Sequence, residues 1–109
     1  MATNFKNKIS PNIGTTPIDV ITVPPAARLT VIGLSLTNLT EGVVVVSVKL
    51  TDADSITGYY VKGVPIPAHQ TLRVVNGGEK LIMAGNNILT VESLQEDAVD
   101  AIVSYVEIV

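Results

Sequence analysis

Cysteine and tryptophan are absent from this sequence, phenylalanine and histidine occur once each, and tyrosine occurs three times. Without cysteine there are no disulfides, no thiolate nucleophile and no zinc site built on sulfur. The scarcity of rings removes the stacking platforms on which single-stranded nucleic acid sites depend, and leaves little for a saccharide to lie against. Cations are few and dispersed: Lys6, Lys8, Arg28, Lys49, Lys62, Arg73 and Lys80 stand against ten carboxylates, for a net charge of −3. A phosphate backbone wants a basic stripe, so no nucleic acid partner is expected.

Long apolar runs are missing too. The longest aliphatic stretch is Val43 to Val46, whereas a bilayer needs about 20 residues, so no membrane partner is expected. Lys6 and Lys8 are not followed by a continuous apolar segment, so no secretory signal is expected and synthesis in a cytoplasm is. Helical periodicity is absent throughout.

What is present is aliphatic. Hydrophobic residues make up 47% of the chain and aromatics 4%, so Val, Ile, Leu and Ala carry the apolar content, and β-branched residues favour strands. The 109 residues fit one domain. Short β-branched segments recur about every ten residues between Gly, Pro, Asn and Asp clusters, the spacing of a sandwich or barrel. The expected strands are 18–23, 29–38, 43–51, 56–62, 71–75, 80–83, 87–94 and 98–108. This predicts an all-β, antiparallel β-sandwich, jelly-roll or Ig-like, of about eight strands. Residues 1–16 hold few hydrophobes and read as an extended N-terminal arm, with residues 17–109 as the sandwich domain.

The connections fit that reading. Pro24-Pro25 ends the first strand because proline cannot donate to a ladder. Thr40-Glu41-Gly42, Asn76-Gly77-Gly78 and Gly85-Asn86-Asn87 supply residues that tolerate positive φ in tight turns. Pro65 and Pro67 flank Ile66 in a segment suited to a sheet edge or a crossover.

Within strands, apolar residues fall on both faces. Thr30, Ile32, Leu34 and Leu36 alternate with Leu29, Val31, Gly33 and Ser35; Val43 and Val45 oppose Val44, Val46 and Val48; Ile102, Val106 and Ile108 oppose Val99, Ala101, Val103 and Tyr105. A half-solvated sheet would alternate cleanly, so part of the second face is expected to be covered by another subunit or by the arm. The interface candidates are Phe5, Ile9 and Ile13 on the arm, with Val43, Val45, Tyr59, Tyr60, Val103 and Tyr105 on the body. Adjacent Tyr59 and Tyr60 must point to opposite faces of a strand.

Candidate chemistry is thin. His69 lies in a polar turn, Pro67-Ala68-His69-Gln70, as the single histidine, and a catalytic or metal-binding histidine needs partners. Thr51-Asp52-Ala53-Asp54-Ser55 alternates oxygen ligands but lacks the glycine and distal Glu of a calcium loop, so it reads as a hairpin tip. Glu92, Glu96, Asp97 and Asp100 gather four carboxylates near one turn, without an aromatic wall to raise a pKa or hold a sugar. Gly77-Gly78 is not a phosphate cradle, for no following helix is expected. Asn38-Leu39-Thr40 matches the glycosylation sequon, and reads as accidental without a secretory signal. No catalytic, cofactor-binding or metal-binding residues are therefore assigned, no cofactor is expected, and the chain is not expected to be an enzyme.

The phrases Asn4-Phe5-Lys6-Asn7-Lys8, Ile13-Gly14-Thr15-Thr16-Pro17, Leu29-Thr30-Val31-Ile32-Gly33-Leu34-Ser35-Leu36-Thr37-Asn38, Tyr60-Val61-Lys62-Gly63-Val64-Pro65-Ile66-Pro67 and Gly77-Gly78-Glu79-Lys80-Leu81 resemble small virion structural proteins of tailed bacteriophages. The likeness covers nearly the whole chain and rests on phrasing and strand order. It implies a β-sandwich subunit of the capsid surface, neck or tail, present as a homo-oligomer, in contact with other virion proteins and made in the host bacterial cytoplasm. The alternative expectation is a host-surface, glycan-binding module of a phage appendage.

Overall fold

The computed structural model describes residues 2–76 and 78–109, which form nine strands and no helix. In chain order they are β1 (Thr3–Ile13), β2 (Ile18–Thr22), β3 (Arg28–Asn38), β4 (Val44–Thr51), β5 (Thr57–Ile66), β6 (Thr71–Val75), β7 (Leu81–Met83), β8 (Ile88–Ser93) and β9 (Val99–Ile108). They build two antiparallel sheets. One runs β1-β9-β3-β6, with β7 beside β6 on the same flank of β3; the other runs β2-β8-β4-β5. Each sheet alternates strands from the two halves of the chain, the double Greek-key winding of a jelly roll. The short β7 is an addition within the β6-to-β8 connection.

Core and surface follow the period-two rule except at β-bulges, of which the one in β3 is the most informative. Val44, Val46 and Val48 of β4, Leu89 and Val91 of β8, Leu29, Val31, Leu34 and Leu36 of β3 and Val99, Ala101 and Val103 of β9 all point between the sheets and are buried. On β3 the inward set jumps from Val31 to Leu34. Ile32 is an extra residue at a β-bulge, where the register against β9 shifts between Val31 and Gly33. A bulge inverts the parity of everything beyond it, so strict alternation misgroups this strand: Leu34 and Leu36 join Leu29 and Val31 in the core, and Ile32 turns outward.

The expected N-terminal arm is instead an edge strand. Residues 3–13 pair in register with β9 from Thr3 opposite Ile108 to Ile13 opposite Val99, so the boundary placed at residue 16 does not separate an arm from a body. Main-chain bonds to β9 hold an edge strand without a full apolar face, which is why sparse hydrophobes misled the reading. Ile13 anchors its end in the core at 1% exposure, and Lys6 pairs with Glu107 at 2.8 Å. Lys6 and Lys8 stand on the inward row, opposite Tyr105 and Val103. Charges on that row of an edge strand discourage further edge-to-edge pairing.

The turns use less positive φ from glycine than expected. In the β3–β4 connection, Asn38 and Thr40 do the work: Asn38 is buried, its Oδ1 accepts from the Thr40 N–H at 2.8 Å, and its Nδ2 donates to the carbonyls of Gly42 and Ile66. Before β8 the left-handed residue is Asn86, at φ 68°. Gly85 is required there for space, because a Cβ would stand 2.3 Å from the Pro25 carbonyl oxygen. Gly77 lies outside the described residues. Val23 ends the β2 side by donating to the Asn87 carbonyl at 2.9 Å before Pro24 stops the ladder. Pro65 sits on β5, an edge strand as expected, opposite Val45.

Candidate functional site: an apolar sheet face

The two outer faces of the sandwich differ in kind. On the β2-β8-β4-β5 sheet the outward side chains satisfy one another: Lys49 pairs with Glu92 at 3.3 Å, Thr90 donates to Asp19 at 3.1 Å, and the Lys62 ammonium lies 5.0 Å above the Tyr59 ring centroid. That face is the more polar of the two, with Val45 half-buried among these groups and Tyr59 and Leu94 exposed beside it.

The other face is oily. Antiparallel register brings Phe5 of β1 opposite Val106 of β9, Val106 opposite Thr30 of β3, and Thr30 opposite Ile82 of β7. A second row runs from Ile9 to Ile102, Ser35 and Arg73. The bulged Ile32 lies between these rows. Phe5 is 80% exposed, Ile82 67%, Ile9 61%, Ile102 44% and Ile32 38%. Beside Ile32 the bulge leaves a shallow depression of about 330 Å³, lined by Ile32, Ser35, Arg73, Asn76, Ile102 and Ser104. Interspersed with Thr30, Ser35, Ser104 and Arg73, these side chains make an apolar-rich face and not a set of singly scattered exposed hydrophobes.

The interface candidates divide accordingly. Phe5 and Ile9 belong to the oily face, while Val43 at 62% and Tyr59 at 51% are exposed elsewhere. Tyr60 and Tyr105 are half-buried against the core. Ile13 and Val103, each at 1%, are core side chains and unavailable to a partner: the bulge between Ser10 and Ile13 in β1 turns Ile13 inward, and Val103 lies on the inward parity of β9. Ile32, Ile82, Ile102 and Val106 were not singled out by sequence. Ile102 and Val106 were legible as the second face of the last strand; Ile32 needed the bulge, and Ile82 needed the position of β7.

The remaining candidates have structural roles. His69 occupies the β5–β6 turn, exposed, at φ 59°. Asp52 closes the β4–β5 hairpin tip by accepting from the N–H groups of Asp54 at 2.9 Å and Ile56 at 3.0 Å. The four carboxylates near the β8–β9 turn do not converge: Glu92 is on the polar face with Lys49, and Asp100 is on the oily one, accepting from the Asn12 N–H at 2.9 Å. Glu96 accepts from the Thr15 hydroxyl and N–H, which hold its carboxyl below the usual carboxylate range. Asp97 is a turn residue at φ 49°. Tyr60 donates to Glu79; burial and then that bond push its phenol up to about 12. Asn38, the sequon residue, is 1% exposed and cannot carry a glycan in the folded chain. Among the described residues no group of three or more His, Asp or Glu is placed to hold a metal ion.

No protein-family model and no curated protein matches this chain. Among solved structures, a chain described as "Structure of infectious bursal disease virus Gt strain" is similar over 97% of this chain and 32% of its own length, at 10% identity and a TM-score of 0.47. This chain thus spans about a third of that one.

Proposed function

We propose that this chain is a non-enzymatic structural subunit of a bacteriophage virion, on the capsid surface or at the neck or tail, acting through contacts with copies of itself and with neighbouring virion proteins. The observation that carries the reading is the oily outer face of the β1-β9-β3-β6 sheet, since water is a poor long-term neighbour for Phe5, Ile9, Ile32, Ile82 and Ile102 together. The particle setting is supported by the resemblance of the sequence to small tailed-phage virion proteins. The jelly-roll winding is compatible with it, being used by viral capsid domains and by lectins alike, and by itself assigns neither function.

The saccharide-binding alternative asks for an open aromatic platform. Tyr59 is the most exposed tyrosine, and Lys62 stands over one side of its ring, so the assembly reading is preferred. Quantitative mass spectrometry of gradient-purified particles from the infected host is the test. The chain is expected in them at a fixed stoichiometry that survives a high-salt wash. Its absence from particles while abundant in the same lysate would overturn the proposal.

A further inference from the structure

The geometry points to the occupant of the oily face: a second copy of this chain, packed face to face across a two-fold axis that lies in the interface and runs perpendicular to the strands. The inference rests on the assembly reading above and specifies its first contact.

Self-complementarity is written into the ends of the face. Register places Asp100 of β9 opposite Thr37 of β3 at one end of the rows, and Arg28 of β3 opposite Ile108 of β9 at the other. Between them lie the apolar residues, with Ser35, Ser104 and Arg73 among them. A two-fold axis across the strands lays the Asp100 end of one copy over the Arg28 end of the next, so that Asp100 falls over Ile108 with Arg28 on the adjacent strand, about 5 Å to the side and within reach of a long side chain, and the Ile9-Ile102 row meets the Phe5-Val106 row. Such an isologous contact uses one patch twice and closes on itself. Arg28 is exposed, and among the described residues it has no ion pair.

The size is suitable. Four strands about 4.8 Å apart and some ten residues rising about 3.3 Å each give a patch roughly 15–20 Å by 30 Å, which with side-chain relief approaches the roughly 800 Å² per partner of a standard interface. The opposite face is the poorer candidate, because Lys49 and Glu92 on it are already paired and Lys62 lies over the Tyr59 ring. The β1 edge is a poorer route for pairing, since Lys6 and Lys8 occupy its inward row and Pro11 lacks an N–H.

Sedimentation velocity on the full chain, from about 1 to 100 μM, tests this, with a dimer expected to form in the micromolar range. Ile102→Asp should weaken it at least tenfold, and Val45→Asp on the polar face should leave it unchanged. Arg28→Asp should weaken it, and Arg28→Asp combined with Asp100→Arg should recover part of the loss; Arg28 is exposed, Asp100 is half-buried and accepts from the Asn12 N–H, and circular dichroism checks that each variant keeps its strands. A dimer broken by Val45→Asp but not by Ile102→Asp would overturn the face while leaving the assembly reading in place. A wild-type chain that stays monomeric throughout would overturn the self-contact, and particle composition would then decide the assembly reading separately.

Discussion

Asn38 donates from Nδ2 to the carbonyl oxygen of Ile66 at 2.9 Å, tying the end of β3 in one sheet to the end of β5 in the other. The same amide nitrogen reaches the carbonyls of Gly42 and Pro67, while Oδ1 holds the Thr40 N–H and hydroxyl. One buried side chain thus satisfies the loop ends on either side of the sandwich.

Asn38→Ala should therefore cost roughly 2–4 kcal/mol, because the buried Ile66 carbonyl and several part-buried loop groups lose their partner at once. Asn38→Asp should cost more at neutral pH, since carboxylate oxygens would face three carbonyls. Urea denaturation of the three proteins checks both the size and the order.

Two consecutive residues of β9 should respond oppositely. Val103→Ala removes a core methyl pair and should destabilise by roughly 1–3 kcal/mol, whereas Ile102→Ala should change monomer stability by less than about 0.5 kcal/mol. Denaturant midpoints measured at low protein concentration separate the two.

Acid stability should depend on Thr15. The fold lowers the Glu96 pKa through the Thr15 hydroxyl and N–H, so the charged form is favoured when folded. The resulting stability is present above the ordinary carboxylate value and is lost as pH falls through the lowered one. Thr15→Val keeps the N–H bond and loses the hydroxyl bond. The stability gap between wild type and variant should thus be open near neutral pH and close as pH falls through the lowered Glu96 value. A gap independent of pH would contradict the assignment.

At the alkaline end, Tyr60 should ionise near 12, held back by burial and by Glu79. The neutral phenol is favoured in the fold, so stability is intact below the ordinary phenol value of about 10 and falls as pH rises through the raised one. In Glu79→Gln the ultraviolet titration of Tyr60 should move down towards that ordinary value without reaching it, because burial remains.

The architecture was legible because β-branched segments and turn residues mark strands locally. The apolar second face of β9, Ile102 and Val106, was legible for the same reason. What escaped depended on distant partners. Residues 3–13 are a strand because β9 offers them a ladder, and Ile32 faces outward because of a bulge that local alternation cannot announce. Ile13 and Val103 were placed on the surface because apolar residues on two faces do not say which face is inside. Asn38 was noticed as a sequon and not as a buried tie, since its three carbonyl partners lie four to 29 residues away.

The absence of native cysteine makes the oily face directly measurable. A single Ile102→Cys variant, reacted with a maleimide over a range of protein concentrations, should label quickly when dilute and progressively more slowly when concentrated, while Ser47→Cys on the polar face should label at one rate throughout. Equal, concentration-independent labelling at both positions in the purified chain would contradict the claim that this sheet face is covered by a second copy.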